Sequence, residues 1–271
     1  MTSEFEEQGI DWQGKGYFGC PEPVAGVAPD ELSADPWLRW AAIQAAARKG
    51  DFAPTAHLVR IYDEAPSPIL EGLCGTLLGD AAPSSIINDV ALMLDATDSF
   101  EATLDFSDVV QSRGLLADVP LLLRAYKQVA EFEDAAILPI HLSWLLEPKP
   151  GPLSRPDSFA SLKEYLDAVT RRYHERTEKF GTDRVLLLRG ERFGVVRLAE
   201  RLLLELRGQQ FPFTLRRKFE ASTGIDCSAF YRDRVIQPGD AAKIVERFLE
   251  SHESERYQDG ARYFFGHAVP E

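Results

Sequence analysis

The sequence has little cysteine: only Cys20, Cys74 and Cys227 occur among its 271 residues. They form no CxxC pair, and an odd number leaves one thiol over, so the pattern favours a reduced compartment over a disulfide scaffold. No apolar run reaches the roughly 18–20 residues that span a bilayer. The acidic first seven residues lack the basic and apolar regions of a signal peptide. The sequence therefore predicts a cytoplasmic protein without a membrane partner.

Basic residues are also scarce, with 30 Lys+Arg against 43 Asp+Glu and a net charge of −13. This balance argues against nucleic acid as a partner, because Lys and Arg drive phosphate binding. The negative charge lies in the first 148 residues: residues 1–32 hold seven acids and one base, and residues 33–148 hold 17 acids and seven bases. Residues 149–271 hold 22 bases and 19 acids. This asymmetry indicates either a basic partner for the acidic part or a general contribution to solubility.

The familiar catalytic motifs are missing: no GxxxxGK[ST], HExxH or GxSxG pattern occurs, and no GxGxxG follows a strand. Gly14-Lys15-Gly16 lacks the strand and helix of a phosphate-binding loop and is interpreted as a turn. His141 lies among apolar residues, without a nameable nucleophile, which favours a buried structural role. The five histidines lie far apart in sequence, without metal-ligand spacing. The sequence therefore predicts no enzymatic activity, no metal and no cofactor.

Capped helical segments are abundant, and they predict a mostly α fold. Residues 1–32 are rich in Gly and Pro and predict an extended arm, held by Trp12, Tyr17 and Phe18. Residues 33–148 predict an acidic HEAT-like array, with one helix pair every ~30–40 residues; an irregular helical bundle fits the same spacing. Its last helix, about 134–147, is expected to break or kink at Pro139.

A Pro-rich segment at 149–158 predicts a linker, which coincides with the change in charge. Residues 159–271 then predict a smaller, mainly helical C-terminal domain. It is expected to hold at most a short strand element near 185–195. The apolar end, Tyr263 to His267, is expected to dock on the body of the protein.

Three stretches of the C-terminal part carry a resemblance: Phe219-Glu220-Ala221-Ser222-Thr223-Gly224-Ile225-Asp226, Phe230-Tyr231, and Gly260-Ala261-Arg262-Tyr263-Phe264-Phe265-Gly266-His267. Over about residues 158–271 the chain resembles the immunity protein 47 family of bacterial polymorphic-toxin systems. The resemblance implies no catalytic residues. The stretches themselves suit a structural role, because Gly224 can end a helix and Arg262 can hold a carboxylate or helix carbonyls.

The resemblance implies an immunity protein that binds and neutralises a cognate toxin domain without catalysis. Acidic clusters would steer a toxin with a basic surface toward it. The alternatives are a helical-repeat adaptor or scaffold of bacterial regulation and, more remotely, an enzyme with an unrecognised site. The candidate partner-binding residues are acids near the inferred helix ends: Asp63, Glu64, Asp105, Asp108, Glu131, Glu133 and Asp134.

Overall fold

A computed structural model describes residues 16–19, 28, 34–95, 100–149, 151–207, 213–232 and 235–271. Within these residues the chain is mainly helical, which confirms the predicted fold class. The helices are α1 (Pro36–Ala47), α2 (Leu58–Asp63), α3 (Pro68–Ala81), α4 (Ser84–Asp95), α5 (Phe100–Arg113), α6 (Val119–Val129), α7 (Ile137–Leu146), α8 (Leu162–Phe180), α9 (Val195–Arg207), α10 (Phe213–Thr223) and α11 (Pro238–Glu250).

Local sequence signals account for several helix ends. The carboxylate of Asp35 accepts a hydrogen bond from the Trp37 N–H at 2.8 Å and caps α1, whose first residue is a proline. Ser161 caps α8 in the same way, since its hydroxyl accepts a hydrogen bond from the Glu164 N–H at 3.2 Å. Gly181 ends α8 with a φ of 71°, a left-handed conformation that glycine adopts without steric cost.

Short antiparallel strand pairs supplement the helices. One pair, β1 (Leu187–Leu188) with β2 (Glu191–Arg192), lies where the sequence predicted a strand element. Two further pairs were not predicted: β3 (Tyr231–Arg232) with β4 (Val235–Ile236), and β5 (Tyr263–Phe264) with β6 (His267–Ala268). Each of these strands has only two residues, too few for the period-2 pattern that identifies a strand in a sequence.

The chain divides into two units, and the boundaries differ from the predicted domains. Unit 1 comprises residues 1–86 and 194–271, and unit 2 comprises residues 87–193. The array expected over 33–148 is therefore shared between the units, with α1 to α3 in unit 1 and α5 to α7 in unit 2.

The C-terminal aromatic residues dock within unit 1, as the sequence predicted. The Phe264 side chain is fully buried, and its ring packs edge-on against Tyr17 with centroids 5.3 Å apart. The backbone N–H groups of Phe265 and Gly266 donate to the carbonyls of Ala221 and Ser222. These carbonyls belong to the last turn of α10 and have no partner within the helix, so the β5–β6 turn completes the end of α10.

Tyr17 anchors its segment as expected, although the described residues Gly16–Gly19 form a 3-10 turn rather than extended chain. It is buried, and its hydroxyl donates to Asp80 at 2.7 Å. Phe18 is 40% exposed and lies beside Phe265, with ring centroids 5.8 Å apart. Trp12 lies outside the described residues.

Unit 2 packs α5, α6 and α7 against one another and adds α8 against α6 and α7. The predicted linker is folded here: its residues Pro152–Ser154 form a 3-10 turn against α7, Leu153 is buried, and its carbonyl accepts the Tyr165 hydroxyl. The expected break at Pro139 is absent, because α7 begins at Ile137 and the proline falls in its first turn, where its missing N–H costs nothing.

Candidate functional site

The acids of α5 form a stripe along one side of the helix. Glu101, Asp105 and Asp108 follow one another at spacings of four and three residues, which places them on the same side of a helix. Glu101 and Asp108 are exposed, and Asp105 is half-buried. Like charges at this spacing repel each other and cost a helix a few tenths of a kcal/mol per pair. The stripe thus concentrates negative charge at a small local cost in stability.

Aromatic residues flank this stripe. Phe100 directly precedes Glu101, and its ring lies 4.9 Å from the ring of Phe132. Phe132 is 56% exposed and directly follows the exposed Glu131. The contact between the two rings brings the turn after α6 to the start of α5. We call the set Phe100, Glu101, Asp105, Asp108, Glu131 and Phe132 the acidic face.

The structure brings only some of the predicted acids together. Asp105, Asp108 and Glu131 belong to the acidic face, whereas the side chains of Glu133 and Asp134 lie outside the described residues. Asp63 and Glu64 belong to unit 1. Glu64 pairs with Arg39 and, at 2.7 Å, with Arg60, and the hydrogen bonds from these arginines lower the pKa of its carboxyl.

Glu101 and the two phenylalanines were missed from sequence. The spacing of Glu101, Asp105 and Asp108 was a usable signal, because it defines one helix side without any tertiary information. The contribution of Phe132 was not accessible in this way, since it depends on a contact between residues 32 positions apart in sequence.

His141 is buried, as predicted, and contacts residues that the sequence did not identify. Its Nδ1 lies 3.1 Å from the Ser107 hydroxyl and its Nε2 lies 3.3 Å from a carboxylate oxygen of Asp108. Ser, His and Asp are the residue types of a hydrolase triad, in which the serine is accessible and the aspartate is buried. Here the serine is buried and the aspartate is exposed. Ser107 is fully buried and its hydroxyl donates to the Leu104 carbonyl, while the Asp108 side chain is 70% exposed. A substrate therefore has no access to the serine oxygen in this arrangement.

Burial lowers the pKa of His141 from its ordinary 6.5 to about 4, although its hydrogen bond with Ser107 acts in the opposite direction. The nearby Asp108 carboxylate also favours the charged ring, but it is largely exposed and water screens it. The neutral ring is therefore the folded form near pH 7. Protonation of His141 therefore destabilises the packing between α5 and α7. The stability of the helices beneath the acidic face consequently depends on pH.

We expect this histidine to make unit 2 less stable in mild acid. Because its folded pKa lies below its unfolded value, its stabilising contribution is present above pH 6.5 and is lost as the pH falls toward about 4. From pH 7 to pH 5 this loss is about 2 kcal/mol. Urea unfolding of the wild type and of His141→Gln at both pH values measures it.

The comparison of the two proteins isolates this histidine. Acidification affects Glu220 of unit 1 in the opposite direction: burial raises its pKa to about 7, so its protonation at lower pH stabilises the folded state. This contribution is the same in both proteins and cancels in the comparison. The wild type should lose more stability than His141→Gln on acidification. Equal losses in the two proteins would contradict the assignment.

Three consecutive cations of α10, Arg216, Arg217 and Lys218, lie largely inside unit 1: Arg216 and Lys218 are buried and Arg217 is half-buried. Arg216 pairs with Glu220, and Arg217 lies 3.8 Å from an Asp80 carboxylate oxygen. Lys218 is only 7% exposed, and burial lowers its pKa to about 7. These cations belong to the interior of unit 1.

Two general features of the described chain bear on function. No three His, Cys, Asp or Glu side chains within it come together as a metal ion would require. Crossing a bilayer needs a longer and more apolar helix than any found among these residues.

The described residues thus define a mainly α protein with an acidic, partly aromatic surface on its second unit. Comparison of the chain with protein families, with curated proteins and with solved structures finds no match in any of the three.

Proposed function

We propose that this protein is an immunity protein that binds a basic toxin domain in the cytoplasm through the acidic face of unit 2. The observation that carries the proposal is the combination of an acidic stripe over two turns of α5 with an exposed phenylalanine, Phe132, whose ring packs against that of Phe100. Inhibition by binding requires a preformed complementary surface and no catalytic group. The resemblance of residues 158–271 to the immunity protein 47 family supplies the class of partner.

The distribution of charge within unit 2 supports a basic partner. Residues 87–148, which include α5 to α7, hold eleven acids and three bases, whereas residues 149–193 hold seven acids and ten bases. A surface with one sign of charge raises the rate at which an oppositely charged partner arrives. Toxins that act on nucleic acids or nucleotides need cationic clefts, so their active sites are natural targets for such a surface.

The aromatic pair supports a specific contact in addition to long-range attraction. Interfaces derive most of their binding energy from a few buried aromatic or arginine side chains, surrounded by polar residues. Phe132 has more than half of its surface available, and Phe100 supports it from one side. In this arrangement the acids govern association and Phe132 governs how long the complex lasts.

The proposal predicts that charge reversal slows association. The triple variant Glu101→Lys, Asp108→Lys and Glu131→Lys should reduce the association rate with a basic toxin domain by about tenfold or more at low salt. Its dependence on ionic strength should flatten, because screening acts on the attraction that the variant removes. Stopped-flow measurements from low to physiological salt, with a toxin domain encoded directly upstream of this gene, provide the test.

A matched control distinguishes this surface from net charge. Asp157, Asp167 and Glu178 are exposed acids of the same unit, outside the acidic face, and their reversal to lysine changes the net charge equally. This control should retain most of the association rate. Equal slowing in the two triple variants would contradict a local contact.

A second prediction concerns Phe132 alone. Its replacement by alanine should raise the dissociation rate by about tenfold or more, with little change in the association rate, because the substitution leaves every charge in place. The thermal stability of the free protein should change little, since the ring is more than half exposed. Leu162, 42% exposed at the start of α8, provides a control position for the loss of an exposed apolar side chain. An unchanged dissociation rate for Phe132→Ala would remove the ring from the interface.

A further inference from the structure

Two hydrogen-bond acceptors face each other where α5 meets α7, at the edge of the acidic face. The Nε2 atom of His141 lies 3.3 Å from a carboxylate oxygen of Asp108, Oδ1. The His141 side chain is only 9% exposed, whereas the Asp108 side chain is 70% exposed. Whether a hydrogen atom lies between Nε2 and Oδ1 depends on which nitrogen of the neutral ring carries its proton.

Ser107 determines the position of this proton. Its hydroxyl donates its single hydrogen to the Leu104 carbonyl at 2.7 Å. The Ser107 oxygen can therefore only accept from the Nδ1 atom of His141, which lies 3.1 Å away. Because burial keeps the ring neutral near pH 7, a proton on Nδ1 leaves Nε2 with a lone pair.

The result is a pair of neighbouring acceptors without a hydrogen between them. Among the described residues, no group donates a hydrogen bond to Nε2. Water can donate to this nitrogen in the free protein, but a cation with N–H groups is also attracted to the carboxylate. A carboxylate oxygen accepts two hydrogen bonds, so this argument does not depend on the other contacts of Asp108.

We propose that this acceptor pair binds an arginine side chain of the basic partner, with one N–H group donating to Nε2 and another to Oδ1. A guanidinium presents several N–H donors in one plane, so neighbouring donors can serve both atoms. Glu101 and Asp105, on the same side of α5, add negative charge that favours a cation at this position. The inference rests on the proposed function for its partner, and it names the side chain that the acidic face recognises.

Nitrogen NMR of the wild-type full chain at pH 7 tests the first step of this argument. The chemical shifts of the two imidazole nitrogens differ according to which of them carries the proton. In the free protein His141 should carry its proton on Nδ1. A proton on Nε2 would place a hydrogen between His141 and Asp108 and would overturn the proposal.

Methylguanidinium chloride tests the second step without any toxin. Tetramethylammonium chloride at equal ionic strength is the matched control, since this cation has the same charge but no N–H donor. Methylguanidinium should cause a saturable change in the Nε2 chemical shift, with a Kd of about tens of millimolar. Tetramethylammonium should not. Equal responses to the two salts would indicate a general effect of salt and would overturn the proposal.

Variants then assign the two acceptors. Asp108→Asn should weaken methylguanidinium by about tenfold or more, because it removes the charge from one of them. Asp167→Asn removes an exposed acid of α8 outside the acidic face and should leave this affinity unchanged. His141→Gln should raise the dissociation rate of a toxin domain encoded directly upstream by about tenfold. Glutamine can turn its NH₂ group toward Asp108, so a donor replaces the acceptor.

These outcomes separate the arginine site from the proposed function. A toxin domain that binds Phe132→Ala weakly, but His141→Gln and Asp108→Asn like the wild type, would overturn the arginine site alone. Methylguanidinium binding that depends on Asp108, without any binding of the toxin domain, would support the acceptor pair and contradict the proposed function. Both NMR measurements use the wild type, so they decide the question even if His141→Gln does not fold.

Discussion

Replacement of Glu220 by alanine is expected to destabilise unit 1 by about 3–5 kcal/mol, because it leaves a buried guanidinium without its counter-charge. Glu220 and Arg216 lie one turn apart on α10, 3.3 Å apart, with side chains 0% and 2% exposed. The carboxylate also accepts the backbone N–H groups of Tyr17 and Cys227. The variant therefore leaves one buried cation and two buried donors unsatisfied. Urea unfolding at about pH 8.5, where a carboxyl with a pKa of about 7 is ionised, measures the loss.

Two comparisons separate the causes of this loss. Glu246→Ala removes an exposed pair with Arg207 in the same unit and should cost less than about 1 kcal/mol. The double variant Glu220→Leu with Arg216→Met removes both charges and should recover part of the loss, but not the part due to the two N–H groups. A Glu220→Ala protein that is as stable as Glu246→Ala would contradict the role given to this pair.

Replacement of Arg262 by alanine is expected to cost about 3 kcal/mol and to loosen the β5–β6 hairpin. The guanidinium is 6% exposed and donates to the carbonyls of Gly79 and Ala82, each at 3.0 Å. Both carbonyls lie at the end of α3, where the helix cannot satisfy them and where its dipole favours a cation. A third contact, at 3.2 Å, reaches the carboxylate of Glu271.

Arg262→Ala should lower the free energy of unfolding and should also loosen the β5–β6 hairpin locally. Urea unfolding measures the free energy of unfolding, and amide hydrogen exchange of residues 263–269 measures the opening of the hairpin. Arg256→Ala is the control, because this arginine donates to the Gly266 carbonyl of the same hairpin from an exposed position and should cost under about 1 kcal/mol. If the amides of residues 263–269 exchange at the same rate in Arg262→Ala and Arg256→Ala, Arg262 does not anchor the hairpin. Arg262→Lys should lose an intermediate amount of stability, more than Arg256→Ala and less than Arg262→Ala. Lysine keeps the positive charge but lacks the two guanidinium NH₂ groups that reach both carbonyls.

The sequence was most informative for features that depend on residues adjacent in the chain, such as helix ends. It was also informative for residues whose chemistry allows few structural roles. Gly181 ends α8, and Gly224, with a φ of 72°, follows α10 as expected. The terminal aromatic residues docked because an apolar run of this length has little alternative to burial. Arg262 was expected to hold a carboxylate or helix carbonyls, and it holds both. These inferences required no knowledge of which helices become neighbours.

Features that depend on distant partners were not accessible in this way. Residues 149–158 have the composition of a linker, but Leu153 finds a buried place between α7 and Tyr165. Glu147 and Arg189 line the same cleft of unit 2, although they lie 42 residues apart in sequence. The division into units also differs from the predicted domains, because residues 194–271 associate with the N-terminal helices. Composition and spacing carry no information on such pairings.

The most direct test of the proposed function is a growth assay. The cells produce a toxin domain encoded directly upstream of this gene. Wild-type protein and the control variant of Asp157, Asp167 and Glu178 should both restore growth when they are co-expressed with the toxin. The Glu101, Asp108 and Glu131 reversal should not, although it accumulates to the same level and melts at a similar temperature. Failure of the wild type to protect, or equal protection by all three proteins, would contradict neutralisation through the acidic face.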